Sequence, residues 1–203
     1  MTETATHTDH AADHGHHSST GLSNNKLAMW LFLGSECLLF GGLISTYMLY
    51  RGRVQDGPHP SQIYDIPFTS VSSFVLLMSS LTMVLAVTSA QRDDDARTNL
   101  WLTITALLGA TFVGGQVYEF TAFYNEGMGF STSLFSSSFY VLTGFHGVHV
   151  TVGLIMLLAL RGMLKNNKVP GSRAETVEMI GLYWHFVDIV WIIIFTLIYL
   201  IPA

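Results

Sequence analysis

The sequence predicts an all-α fold: a polytopic membrane bundle of five transmembrane helices, with its N-terminus cytoplasmic and its C-terminus outside. Three observations predict it. Only 11% of the 203 residues are charged against 50% apolar, with a mean hydropathy of +0.43, whereas a soluble domain carries about 25% charged residues. Five stretches approach the roughly 20 apolar residues that a helix needs to cross about 30 Å of hydrocarbon. The basic residues gather on one side of those stretches, and short loops rich in Lys and Arg stay in the cytoplasm.

The five stretches are Leu27 to Tyr50, Ser70 to Ala90, Leu100 to Thr121, Ser137 to Leu160 and Met179 to Ile201. Polar or turn-rich segments separate them: Arg51 to Pro60, Gln91 to Asn99, Asn125 to Ser133 and Arg161 to Glu178. Helices are the expected form, because lipid cannot satisfy a free backbone in an open sheet or loop. Lys26, Arg92, Arg97, Arg161, Lys165, Lys168 and Arg173 fall on the side of the N-terminus, and only Arg51 and Arg53 on the other. That asymmetry sets the orientation.

Residues 1–25 form a separate tail, with His7, His10, His14, His16 and His17 interspersed with Asp9 and Asp13. Such a tract can bind a transition metal weakly, but nothing near it supplies the apolar burial that would order it, so a disordered cytoplasmic tail is expected. It lacks the charged start and apolar core of a signal peptide, and it is not an Arg-rich presequence; a bacterial plasma membrane is the expected location. Residues 26–203 make one membrane domain, with Pro58, Pro60 and Pro67 in a polar loop after the first span. The single cysteine, Cys37, excludes an intrachain disulfide and is expected to serve packing in its apolar run. The net charge of −5, with no basic stripe, excludes a nucleic-acid partner.

The informative residues are those that a dry bilayer disfavours. Glu36 lies nine residues into the first stretch, about 13 Å deep at about 1.5 Å per residue. A carboxylate there must pair, take a proton or face a cavity. Gln116 with Glu119, His146 with His149, and His185 with Asp188 each share one helix face at i, i+3. Residues of these types so placed leave three uses open: hydrogen bonds between helices, a metal or haem site drawn from the three histidines, or a proton relay. The absence of thiolates and the presence of carboxylates able to satisfy each imidazole favour the first. Glycines at 41, 42, 109, 114, 115, 144, 147 and 153 offer close-packing surfaces, for this bundle and for neighbouring membrane chains.

Taken in order, these motifs resemble the subunit III family of haem-copper cytochrome c and quinol oxidases. The run Thr143-Gly-Phe-His-Gly-Val-His-Val150, followed by Gly153, is similar to that family's penultimate helix. The run Tyr183-Trp-His-Phe-Val-Asp-Ile-Val-Trp191, followed by Phe195 and Tyr199, is similar to its last. Ser35-Glu36 with Phe40, and Gln116 with Glu119, match two further helices, so the resemblance extends from Leu27 to Pro202. It implies a non-redox accessory subunit with no cofactor of its own, the haem and copper lying in partner subunits I and II. It also implies contact with subunit I and other membrane subunits, bound phospholipids, and a role in sustaining proton uptake. Glu36 resembles the family's carbodiimide-reactive carboxyl, and Arg161 a basic residue that holds a lipid phosphate. Longer members have seven spans; five are visible here, starting at what would be the third, so the wall that the first pair gives the lipid cleft would be absent or come from another subunit.

An oxidase fed by cytochrome c is the leading expectation. A quinol oxidase subunit and a homologue accompanying nitric oxide reductase are the alternatives within the family. A proton-coupled transporter or a free-standing cytochrome would belong to other classes, and the paired repeats and broken helices that mark many transporters are not visible.

Overall fold

A computed structural model of the chain describes residues 23–51, 65–166 and 172–201. The histidines at positions 7 to 17, most of the loop before Pro67, and Lys168 lie outside the described residues. Five helices run α1 (Asn24–Tyr50), α2 (Ile66–Gln91), α3 (Asp95–Asn125), α4 (Leu134–Lys165) and α5 (Arg173–Phe195), and a π-turn, Thr196–Leu200, prolongs the last. All five spans are long and apolar enough to cross a membrane, as expected.

The helices overrun the expected spans because their ends are set by caps. The side chains of Ser23, Asp65, Asp94 and Ser133 each accept a backbone N–H in the first turn of the helix that follows, satisfying donors that a helix start leaves open. The segment expected to be a loop between the second and third spans shrinks to Arg92, Asp93 and Asp94, with Asp93 in the left-handed region at φ 55°. At the far end of α3, Gly127 takes φ 90°; its N–H bonds Tyr124 O and that of Met128 bonds Phe123 O, a Schellman-type close that glycine permits.

Around the bundle the order is α1, α4, α3, α2. The helix α5 packs against α2, α4 and α1. Two tryptophans on one face of α5 fix that arrangement. Trp184 is buried with its ring edge against Gly109 of α3 and Gly153 of α4, and its indole N–H donates to Ser79 Oγ of α2 at 3.0 Å. One heptad later Trp191 donates to Ser73 Oγ at 2.8 Å and meets Phe112 of α3 edge-on. Within lipid, helices associate through close packing and hydrogen bonds, not hydrophobic burial, and a buried indole uses both. Large apolar side chains such as Leu31, Leu38, Val71 and Ile155 point outward, as a lipid-facing surface requires. The helix α1 is the least buried of the five, and Cys37 is exposed on it instead of packing inward.

A methyl group at Gly109 would lie 2.5 Å from the rigid Trp184 edge. Gly109→Ala is therefore expected to destabilise the bundle by about 1–3 kcal/mol, read as a lower unfolding midpoint of the detergent-solubilised chain. Gly34→Ala, whose new carbon meets nothing within 4 Å, should leave the midpoint in place. Equal midpoints for the two would dispose of the wedge.

Candidate functional site

The polar residues singled out in the sequence do not converge on one centre. They form separate links between helices. Glu36 Oε2 of α1 lies 3.1 Å from His149 Nε2 of α4, with both side chains mostly buried. The other ring nitrogen, Nδ1, is 2.7 Å from Phe145 O. A carbonyl only accepts, so Nδ1 carries a hydrogen. Nε2 and the carboxyl therefore share a single proton, held as carboxylic acid to neutral imidazole or as carboxylate to imidazolium. Either way the bridge is neutral as a unit, which suits its depth. Tyr183 OH donates to His149 O at 3.0 Å and Phe40 meets the ring edge-on, steadying the α4 side of the bridge.

On α3, the i, i+3 pair reaches different neighbours. Gln116 Nε2 donates to Thr143 O of α4 at 3.2 Å. Glu119 Oε1 lies 2.5 Å from Thr69 Oγ1 of α2 and accepts from Tyr199 OH, beyond α5, at 3.0 Å. Three elements are thereby joined at the end of the bundle opposite Asn24. On α5, His185 Nδ1 lies 2.7 Å from Ser80 Oγ of α2.

His146 and Asp188 are the exceptions. His146 is fully buried between aromatic rings, stacked on Trp191 at 4.8 Å with Phe40 and Phe112 edge-on. Neither of its nitrogens has a hydrogen bond among the described residues. Both Asp188 carboxyl oxygens are buried likewise, beside the Ser80 hydroxyl that lies 2.7 Å from His185 Nδ1. The three histidines thus face a carboxyl, a set of rings and a hydroxyl. Among the described residues no group of three or more His, Cys, Asp or Glu is placed to hold a metal ion.

Sequence reasoning missed the partners. Ser73, Ser79 and Ser80 receive α5, and Thr82 bonds Thr105 at 2.8 Å between α2 and α3. The signal was a run of hydroxyls inside the second span. Lys26 pairs with Glu178 at 2.9 Å, and Ser23 bonds Glu175 beside it. The buried Arg51 donates to Ile201 O at the opposite end. Arg161 is half-buried in the penultimate turn of α4, with no ion pair among the described residues.

The family model described as cytochrome c oxidase subunit III matches residues 5–202. The chain belongs to that family. Among its relatives, the cytochrome c oxidase subunit 3 of Bacillus sp. (strain PS3) is 41% identical over 179 residues, covering 87% of this chain and 86% of the relative. The quinol oxidase subunit 3 of Bacillus subtilis (strain 168) is 38% identical over 198 residues, covering 98% and 97%. The cytochrome bo(3) ubiquinol oxidase subunit 3 of Pseudomonas aeruginosa is 37% identical over 194 residues, covering 96% and 91%. Subunit III proteins are the accessory chains of haem-copper oxidases and carry no redox cofactor. In this subunit III, Glu36, Gln116, Glu119, His149 and His185, which helped to carry the resemblance, serve as cross-links between helices, while His146 and Asp188 do not.

One shared proton in the Glu36–His149 bridge makes a specific demand. Glu36→Gln keeps an N–H to offer the bare Nε2 and is expected to unfold within about 0.5 kcal/mol of wild type. Glu36→Leu loses the bond and should cost about 0.6–1.7 kcal/mol, the range for such bonds between membrane helices. Denaturant titration of the solubilised chain separates the two; equal losses would contradict the shared proton.

Proposed function

We propose that this chain is the accessory third subunit of a proton-pumping oxidase that takes electrons from cytochrome c in a bacterial plasma membrane. It flanks subunit I, which with subunit II holds the haem and copper, and it supports proton uptake into subunit I and that subunit's endurance during turnover. The observation that carries this reading is the use made of the buried polar residues: Glu36, Gln116, Glu119, His149 and His185 are taken up in bonds between helices, which makes a scaffold and not a reaction centre. The excess of Lys and Arg at the Asn24 end supports an orientation with that end in the cytoplasm, where protons enter. Arg161, at the same end and without an ion pair among the described residues, is suited to a phospholipid phosphate.

A quinol oxidase is the second reading, favoured by the name and the near-complete overlap of the Bacillus subtilis relative. Purification of the complex through a tag on this chain decides between them. A copper-bearing subunit II alongside the haem chains supports cytochrome c as donor, and haem chains with a copper-free subunit II support quinol. Absence of any haem-bearing partner would end the oxidase reading.

Within an assembled complex, Glu36→Gln is expected to leave the initial rate of oxygen consumption within about twofold of wild type while activity decays faster over successive turnovers. A support role changes the barrier of the chemical step by less than about 0.4 kcal/mol. Abolished electron transfer would assign Glu36 to the chemistry and overturn the reading. Arg161→Ala should lower the phospholipid retained per complex, measured by phosphate analysis after delipidation.

A further inference from the structure

Between α3 and α4 the surface opens into a groove of about 290 Å³. Its floor is Gly144, Gly147 and Thr151, spaced i, i+3, i+7 on one face of α4. Its rims are apolar, Val117 and Val148 each being about three-fifths exposed. The floor also holds Gln116, whose side chain is more than nine-tenths buried. Its Nε2 is committed to Thr143 O. Its Oε1 lies over Gly147, only 2.8 Å from where a Cβ on that glycine would stand, and accepts no hydrogen bond among the described residues. An acceptor thus faces an apolar groove nine residues from the end of α3, about 14 Å along the helix.

We propose that this groove seats a transmembrane helix of a partner oxidase subunit, and that a side-chain donor on that helix, a hydroxyl, amide or indole N–H, bonds Gln116 Oε1. The proposal rests on the reading of the chain as an oxidase subunit. Two features choose a helix over a lipid tail. Gly144, where an added Cβ would meet nothing within 4 Å, lets a second backbone approach closely, the usual signature of packed membrane helices, and an acyl chain needs no such opening. An acyl chain also offers only methylenes at that depth and leaves Oε1 unmet, whereas a helix can supply a donor. The outward glycines of α1 at 34, 41 and 42 also stand in open space, but among the described residues no buried amide oxygen without a donor lies beside them.

The test uses the intact complex in native membranes, with the photo-reactive residue benzoylphenylalanine replacing Val148. Illumination is expected to give an adduct with a partner polypeptide, the adduct peptide belonging to a transmembrane segment that contains a hydrogen-bonding side chain. An adduct with phospholipid alone, or with a second copy of this chain, would overturn the proposal. In parallel, Gly144→Leu fills the groove from a position where an added Cβ meets nothing within 4 Å, so the chain's own packing is spared. It should cut the haem that copurifies with the tagged chain by about tenfold, the equivalent of about 1.4 kcal/mol, while the unfolding midpoint of the isolated chain stays unchanged. Gly162→Leu, equally open at the end of α4, should copurify haem at the wild-type level. Full haem recovery with Gly144→Leu would also overturn the groove assignment. Failure of the wild-type chain to bring down any haem would instead strike at the oxidase reading, so the two failures are distinct.

Discussion

The bundle depends on one packing contact, the edge of Trp184 set between two glycines. Gly109 comes from α3 and Gly153 from α4, and only the absence of a side chain on both lets the edge of the indole approach so closely. In lipid no water is released when two apolar helices meet, so cohesion must come from contact at short range and from polar bonds. Trp184 supplies both, because its N–H ends on Ser79 of the helix opposite. The order of the helices around α5 follows from that placement, and Trp191 with Ser73 repeats the device one heptad along.

The polar side chains then divide into those that bridge helices and those sealed within aromatic or apolar walls. Membrane helices tolerate an ionisable group when its charge is cancelled or its proton is shared. Glu36 and His149 do this jointly. Glu119 lies among the hydroxyls of Thr69 and Tyr199. His146 is accommodated differently, by ring contact with Trp191, Phe40 and Phe112. Two histidines three residues apart on one helix therefore live by separate rules, since one points toward α1 and the other into the core.

The number of helices was legible because hydropathy registers every span that must cross lipid, and Glu36, Gln116 and Glu119 stood out because a carboxylate or amide is conspicuous there. The partnerships were not legible. A spacing of i, i+3 says that two side chains leave one helix together, yet Gln116 and Glu119 end on different helices, because a helix face spans more than one neighbour. Serines and threonines escaped notice for another reason. In a membrane helix they can bond their own backbone four residues back, as Ser73 does to Thr69 O, so their presence alone does not announce a link. The helix ends ran past the hydropathy windows, since caps such as Asp94 and Ser133 act where hydropathy is low.

The attachment of α1 has a consequence for how the chain is built. Its links run from Lys26 to Glu178, from Glu36 to His149 and from Arg51 to Ile201 O, all to the last two helices, and it packs on α4 and α5. Synthesis proceeds from the N-terminus, so α1 is made well before either helix that it packs on. While α2 and α3 close as a hairpin, α1 must wait beside them with Glu36 unmatched, until roughly another hundred residues have been inserted. The latch between Arg51 and Ile201 O forms only once α5 and the turn beyond it have been made, which makes completion of α5 the event that gathers α1 into the bundle.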